Sequence, residues 1–206
     1  MKIYIRFLFY MFLLFFIDNV VNAQPDSTVY FSEDFETGVQ PQGWQEEYAK
    51  GYVDWKYQNG GGQRDINEIT TRTPYPAHGG KFNALFEYSS LKHEATKLVT
   101  RPIDLSGASK PLLKFYYAQV KRCLDAQGQN CANDELRIYY KKTLNSAWIK
   151  LDSAIYDTPV DSAGYGLWQL KTIQLNDFSG TFYLAFEGKT NLGWGTCLDD
   201  IKIIES

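Results

Sequence analysis

The sequence predicts an all-β domain of two packed antiparallel sheets. Three observations predict it: short apolar/polar alternations recur along the chain, turn-forming residues bound each of them, and helix-period patterns are almost absent. Alternation with a period of two places successive side chains on opposite faces of a strand, so one face is buried and the other solvated. Leu113, Phe115 and Tyr117 share one face of a run whose other face carries Lys114 and Tyr116. Leu136, Ile138 and Tyr140 alternate with Glu135, Arg137 and Tyr139; Phe182, Leu184 and Phe186 alternate with Tyr183 and Glu187; Ile201 and Ile203 alternate with Asp200 and Lys202. Gly, Asn, Asp, Ser or Pro bounds each run within a few residues, as in strands joined by turns. So many half-buried strands in one domain require a second sheet to cover the first.

The N-terminus reads as a cleavable leader. Lys2 and Arg6 precede the uncharged apolar run Phe7 to Ile17, which Asp18 ends. That run falls short of the roughly 20 apolar residues a membrane span needs. Val21-Asn22-Ala23 offers a peptidase site, so residues 1–23 are expected to be removed and the mature chain to begin at Gln24. No later stretch is apolar enough for membrane insertion, and the expected location is extracellular or cell-surface. Removing two bases and one acid from 21 Lys plus Arg and 24 Asp plus Glu leaves a net charge of about −4. A mildly acidic chain without a basic cluster argues against nucleic acid as a partner. The remaining residues, 24–206, suit a single domain.

The chain has three cysteines, an odd number. Cys123 and Cys131 bracket the polar stretch Leu-Asp-Ala-Gln-Gly-Gln-Asn, so a bridge between them closes a short loop, and Cys197 is expected to stay free. The spacing and the lack of a neighbouring histidine do not suit a zinc site. Asn59-Gly60-Gly61-Gly62 reads as a loop without the Lys-Ser/Thr of a phosphate cradle. Residues 154–166, with Pro159 and two glycines, read as a second long loop.

A family resemblance rests on ordered blocks. Phe31-Ser32-Glu33-Asp34-Phe35-Glu36-Thr37-Gly38 is followed by Pro41-Gln42-Gly43-Trp44, then Phe82-Asn83-Ala84-Leu85-Phe86. Thr96 to Ser106, Leu113 to Tyr117, Asp134 to Tyr140 and Gly195-Thr196-Cys197-Leu198-Asp199-Asp200-Ile201 complete the series. Together they resemble the MAM-like jelly-roll domains, including the cleaved-adhesin and choice-of-anchor J modules of secreted bacterial proteins. The resemblance implies a two-sheet antiparallel jelly-roll β-sandwich (concanavalin/MAM-like) that works as an adhesion or ligand-binding unit. It also brings the first and last strands together and suggests a structural calcium there, held by Asp34, Glu36, Asp199 and Asp200 with backbone carbonyls. Asp34 and Glu36, two apart in an expected strand, would share a face, and Asp199 and Asp200 would open the last strand. Hard oxygen ligands from several positions are what Ca²⁺ takes. The alternative is that these acids satisfy turn amides or stay solvated.

Trp44, Tyr48, Tyr52, Trp55 and Trp194 are candidates for a stacking platform for a sugar or peptide, with Trp194, Trp55 and Tyr52 the chosen ligand-binding residues. Trp194 leads because glycines flank it; the alternative for all of them is the core. Catalytic residues are not expected. His78 and His93 are the only histidines, and no nucleophile elbow, H-E-x-x-H or sandwich-glycosidase acid spacing occurs. The expected function is a non-catalytic module recognising an extracellular glycan or protein. A secreted hydrolase remains the alternative, because paired carboxylates can be remote in sequence.

Overall fold

The computed structural model describes residues 28–61, 73–74, 76–87, 93–123, 129–154 and 158–206. The expected leader and the Gln24 start lie outside the described residues. The described chain is all strand and turn. In order it forms β1 (Val29–Glu33), β2 (Gln45–Lys50), β3 (Trp55–Gln58), β4 (Asn83–Phe86) and β5 (Ala95–Val99). Next come β6 (Ile103–Asp104), β7 (Pro111–Gln119), β8 (Arg122–Cys123), β9 (Cys131–Ala132) and β10 (Glu135–Lys141). The series closes with β11 (Ile149–Ala154), β12 (Gln169–Gln174), β13 (Thr181–Lys189) and β14 (Thr196–Glu205).

Two antiparallel sheets face one another as a jelly-roll β-sandwich. The first runs β12-β7-β14-β4-β3, with β1 also paired to β14; the second runs β11-β10-β13-β5-β2, with β6 on β13. Each alternation read from the sequence points its apolar face into the space between them. Leu113, Phe115, Leu136, Ile138, Phe182, Leu184, Phe186, Ile201 and Ile203 are all buried in one cluster. Phe115 of the first sheet meets Phe186 of the second edge-to-face, with centroids 5.3 Å apart, a favoured arrangement for aromatic rings.

β8 and β9 form a separate hairpin in which Cys123 pairs with Cys131 both in register and through the disulfide. Cys197 is free and buried, as expected, and burial pushes its thiol pKa up, so it behaves as a small apolar group.

Two local expectations fail. Asp34 and Glu36 do not share a strand face, because β1 ends at Glu33 and Phe35 takes a positive φ of 57° that starts a turn. Asp199 and Asp200 do not open β14 but lie inside it, where the register shifts between Asp199 and Lys202.

Phe186→Ala should destabilise the fold by about 3–5 kcal/mol, the range for truncating a buried aromatic. Urea unfolding checks it; a loss below about 1 kcal/mol would show that the sheets do not pack through this pair.

Candidate functional site

β14 pairs with β4 from Thr196 to Leu198 and with β1 from Ile201 to Ile204. At the hand-over neither partner is present, and Asp200 takes a φ of 47°. The segment His78–Phe82 fills this place. Asp199 Oδ2 accepts the N–H groups of His78 at 3.0 Å and Gly79 at 3.2 Å, while its Oδ1 accepts that of Asp200 at 2.8 Å. Glu36 Oε1 accepts from the Lys81 and Phe82 amides at 2.8 and 2.9 Å, with Oε2 3.0 Å from Lys81 N. Asp200 Oδ2 lies 2.6 Å from His78 Nδ1, and the His78 ring stacks on Tyr116 at 3.5 Å. A side chain at Gly79 would meet Asp200, and one at Gly80 would meet Glu36. Asp34 stays local, accepting the Glu36 amide at 3.2 Å.

Glu36, Asp199 and Asp200 therefore converge on one glycine pair, and Asp34 does not reach it. Burial raises the Asp199 pKa to about 7 despite three amide donors, with Asp200 adding a like charge. Carboxylate oxygens are the hard ligands a cation of the calcium type takes, although Asp199 and Glu36 already accept amides and Asp200 faces His78. Side chains alone do not build a cage, since among the described residues no three acidic, His or Cys side chains form a metal-holding group. Backbone oxygens would have to complete the set.

The tryptophan platform is corrected. Trp55 and Trp194 are only 3% and 6% exposed, and Trp44 is also buried. Trp55 Nε1 donates to Thr96 O at 3.1 Å from within the core. The glycines beside Trp194 serve packing rather than exposure. Buried Asp134 accepts the N–H groups of Asn191, Gly193 and Gly195 at 2.6–2.9 Å, and a side chain at Gly193 would strike it. This carboxylate winds the loop inward, and the Arg122 guanidinium lies 5.4 Å over the indole.

Tyr52, by contrast, is 87% exposed. It sits in the four-residue connection from β2 to β3, which are edge strands of opposite sheets. The connection crosses the open rim of the sandwich, so side chains pointing between the sheets line a cleft there. Glu46 and Tyr48 do so, paired opposite the interior residues Leu98 and Thr96. The cleft, about 380 Å³, is lined by Gln40, Glu46, Tyr48, Asp54, Trp55 and Tyr57. Tyr48 and Tyr52 lie 6.0 Å apart between ring centroids, inclined at 52°. The Tyr48 hydroxyl donates to Asp54, which raises the phenol pKa to about 12. Glu46 accepts the Trp55 amide at 3.2 Å, and burial, then the charge of Asp54, raises its pKa to about 7. The Tyr57 hydroxyl is buried without a hydrogen-bond partner. Sequence reading missed Glu46 and Asp54, since the edge run Gln45-Glu46-Glu47 carries no apolar alternation to signal an inward face.

The outer face of the second sheet is rich in charge but internally matched. Lys97 pairs with Glu187 at 2.6 Å, Arg137 reaches the same carboxylate at 3.5 Å, and Lys189 pairs with Glu135 at 3.2 Å. Trp148 Nε1 donates to both Glu47 oxygens at 2.9 and 3.0 Å beneath Lys141.

Comparison with protein-family models and with curated proteins gives no match. Among solved structures, the chain is similar to the K1 cleaved adhesin domain of Lys-gingipain from Porphyromonas gingivalis W83. The identity is 23%, over 85% of this chain and 97% of that one, with a TM-score of 0.59. The fold is cleaved-adhesin-like. The K3 cleaved adhesin domain of the same protein agrees at 22% identity, 87% and 99% coverage and a TM-score of 0.54. TmCBM61, solved in complex with β-1,4-galactotriose, shares the fold at 12% identity, 84% and 94% coverage and a TM-score of 0.52.

Trp194→Ala should lower stability by about 3 kcal/mol or more, as for a core aromatic. Thermal and urea unfolding of the variant check it. A melting temperature equal to that of the parent would return Trp194 to the surface.

Proposed function

We propose that this chain is an exported, non-catalytic binding module that recognises an extracellular glycan or protein at the β2–β3 rim. The observation that carries the reading is Tyr52, exposed beside Tyr48 at the mouth of a cleft that supplies carboxylates, an amide and a phenol. Rings of this kind give contact area at low entropic cost, and the polar groups below them orient what is bound. The likeness to adhesin domains and to a module bound to a galactotriose supports the same class. Export is favoured by the leader pattern and by the Cys123–Cys131 bridge, which persists in oxidising compartments.

The decisive experiment is a glycan and matrix-protein array, run beside a glycosidase and peptidase screen. Binding without turnover is expected, weakened about tenfold by Tyr52→Ala, which is about 1.4 kcal/mol. An exposed side chain contributes little to stability, so the variant should unfold within about 0.5 kcal/mol of the parent. Turnover in the screen would instead favour the hydrolase.

A structural calcium is a second reading, favoured by the convergence of Glu36, Asp199 and Asp200 on Gly79 and Gly80. Asp199 and Asp200 would hold the ion with backbone oxygens, and its charge would offset the repulsion between them. At about a hundredfold above its dissociation constant the ion would add roughly 2.7 kcal/mol. The melting temperature should then rise by about 5–10 °C over that in chelator, and the increment should vanish in Asp200→Asn. In chelator, stability should fall as pH rises from 5 to 8. Asp199 and Glu46 hold protons in the folded chain that the unfolded chain has already released, so their contribution is complete below the ordinary carboxylate range and lost above about 7. Equal melting temperatures in calcium and chelator at pH 8 would reject the ion.

A further inference from the structure

We propose that the β2–β3 cleft is a receptor for a primary ammonium group, and that a lysine side chain of a protein partner is its occupant. This rests on the reading of the same rim as the binding surface. The lining contains two carboxyl groups, three aromatic residues and one amide, with no Lys, Arg or His among them. Half-buried Glu46, exposed Asp54 at the rim and the rings beside them attract a cation in two ways. The carboxylates do so by charge, and the ring faces do so by their quadrupoles.

The acceptor inventory matches an ammonium. One Glu46 oxygen is engaged by the Trp55 amide and one Asp54 oxygen by the Tyr48 hydroxyl. Glu46 lies near Asp54, whose charge adds to burial in raising the Glu46 pKa to about 7. The Tyr57 hydroxyl oxygen, buried in the same cleft, is without a partner. Carboxyl oxygens of Glu46 and Asp54 and the hydroxyl of Tyr57 thus belong to the lining of one cleft, and an ammonium carries three donors. The ammonium binds the ionised form of Glu46, so the proton that Glu46 holds below about pH 7 leaves to solvent as the ligand binds.

The other charges near this place are Glu33, which with Glu46 acts on Tyr57, and Arg101, which acts on Glu33. The β5 residues opposite Glu46 and Tyr48 are the uncharged Leu98 and Thr96. Depth favours lysine over an amino sugar. Glu46 is half-buried and the Tyr57 hydroxyl fully so, while Tyr52 stands at the exposed rim. A four-carbon stem carries an ammonium past the exposed rim to half-buried Glu46, whereas an amine attached directly to a sugar ring would bring the ring with it.

The test is a titration of the folded chain with the capped tripeptide acetyl-Gly-Lys-Gly-amide, followed by NMR chemical shifts at pH 8 and pH 6. Parallel titrations use the Nε-acetylated tripeptide and glucosamine. Saturable shifts at residues 46–57 are expected with the lysine peptide. Affinity should drop at least tenfold on Nε-acetylation and in Glu46→Gln, and should weaken from pH 8 to pH 6 as Glu46, its pKa raised to about 7, takes up a proton. The melting temperature of Glu46→Gln should not fall, so lost binding will not reflect lost folding. Equal affinity for the acetylated peptide, or tighter binding of glucosamine, would overturn the proposal. If no probe binds while Tyr52-dependent binding on the array persists, the ammonium assignment fails and the binding function stands; loss of both removes the rim as the site.

Discussion

The interaction on which the first sheet depends is the capture of backbone amides by buried Asp199 and exposed Glu36 where β14 changes partner. A strand that passes from β4 to β1 leaves a stretch with no neighbour to complete its ladder, and an open ladder inside a sheet exposes polar groups at a cost. Asp199 closes the gap from within β14 and Glu36 closes it from the end of β1, each holding amides of the His78–Phe82 segment. Charge-assisted bonds of this kind are the stronger class, and two side chains thereby hold three strands in register. The positive φ at Phe35 and Asp200 follows from the same demand, because each turns a carboxylate toward the loop.

The same device recurs at the far end of β4. Asp134, at the start of β10, gathers three amides of the loop before β14 and so fixes the depth of Trp194. Glycines adjoin both carboxylate centres because a side chain would occupy the acceptor's place. Loops fixed in this way leave the β2–β3 rim as a surface where acids and rings meet solvent without internal partners of opposite charge. The outer face of the second sheet, whose acids are matched by Lys97, Arg137 and Lys189, offers no comparable unbalanced set.

The alternations at 113–117, 136–140, 182–186 and 201–203 were legible because each strand buries one face, and burial selects apolar residues at every second position. The disulfide was legible because its loop is local. Of the acids at 34, 36, 199 and 200 the last three come together and Asp34 does not, and their geometry was not legible, since a bulge and two positive φ values leave no periodic trace. Trp194 misled because flanking glycines signal backbone freedom equally for an exposed loop and for one packed against a carboxylate. Trp148, beside β11, and Glu47, on β2, meet across three intervening strands, a contact that no local pattern encodes.

Native-state hydrogen exchange at the His78, Gly79, Lys81 and Phe82 amides measures the carboxylate lock directly. These four amides lie outside any strand ladder, so only Asp199 and Glu36 can slow their exchange. Protection comparable to that of β14 is predicted, with Lys81 and Phe82 alone losing it in Glu36→Ala. Exchange of all four at the rate of an unstructured loop would contradict the account.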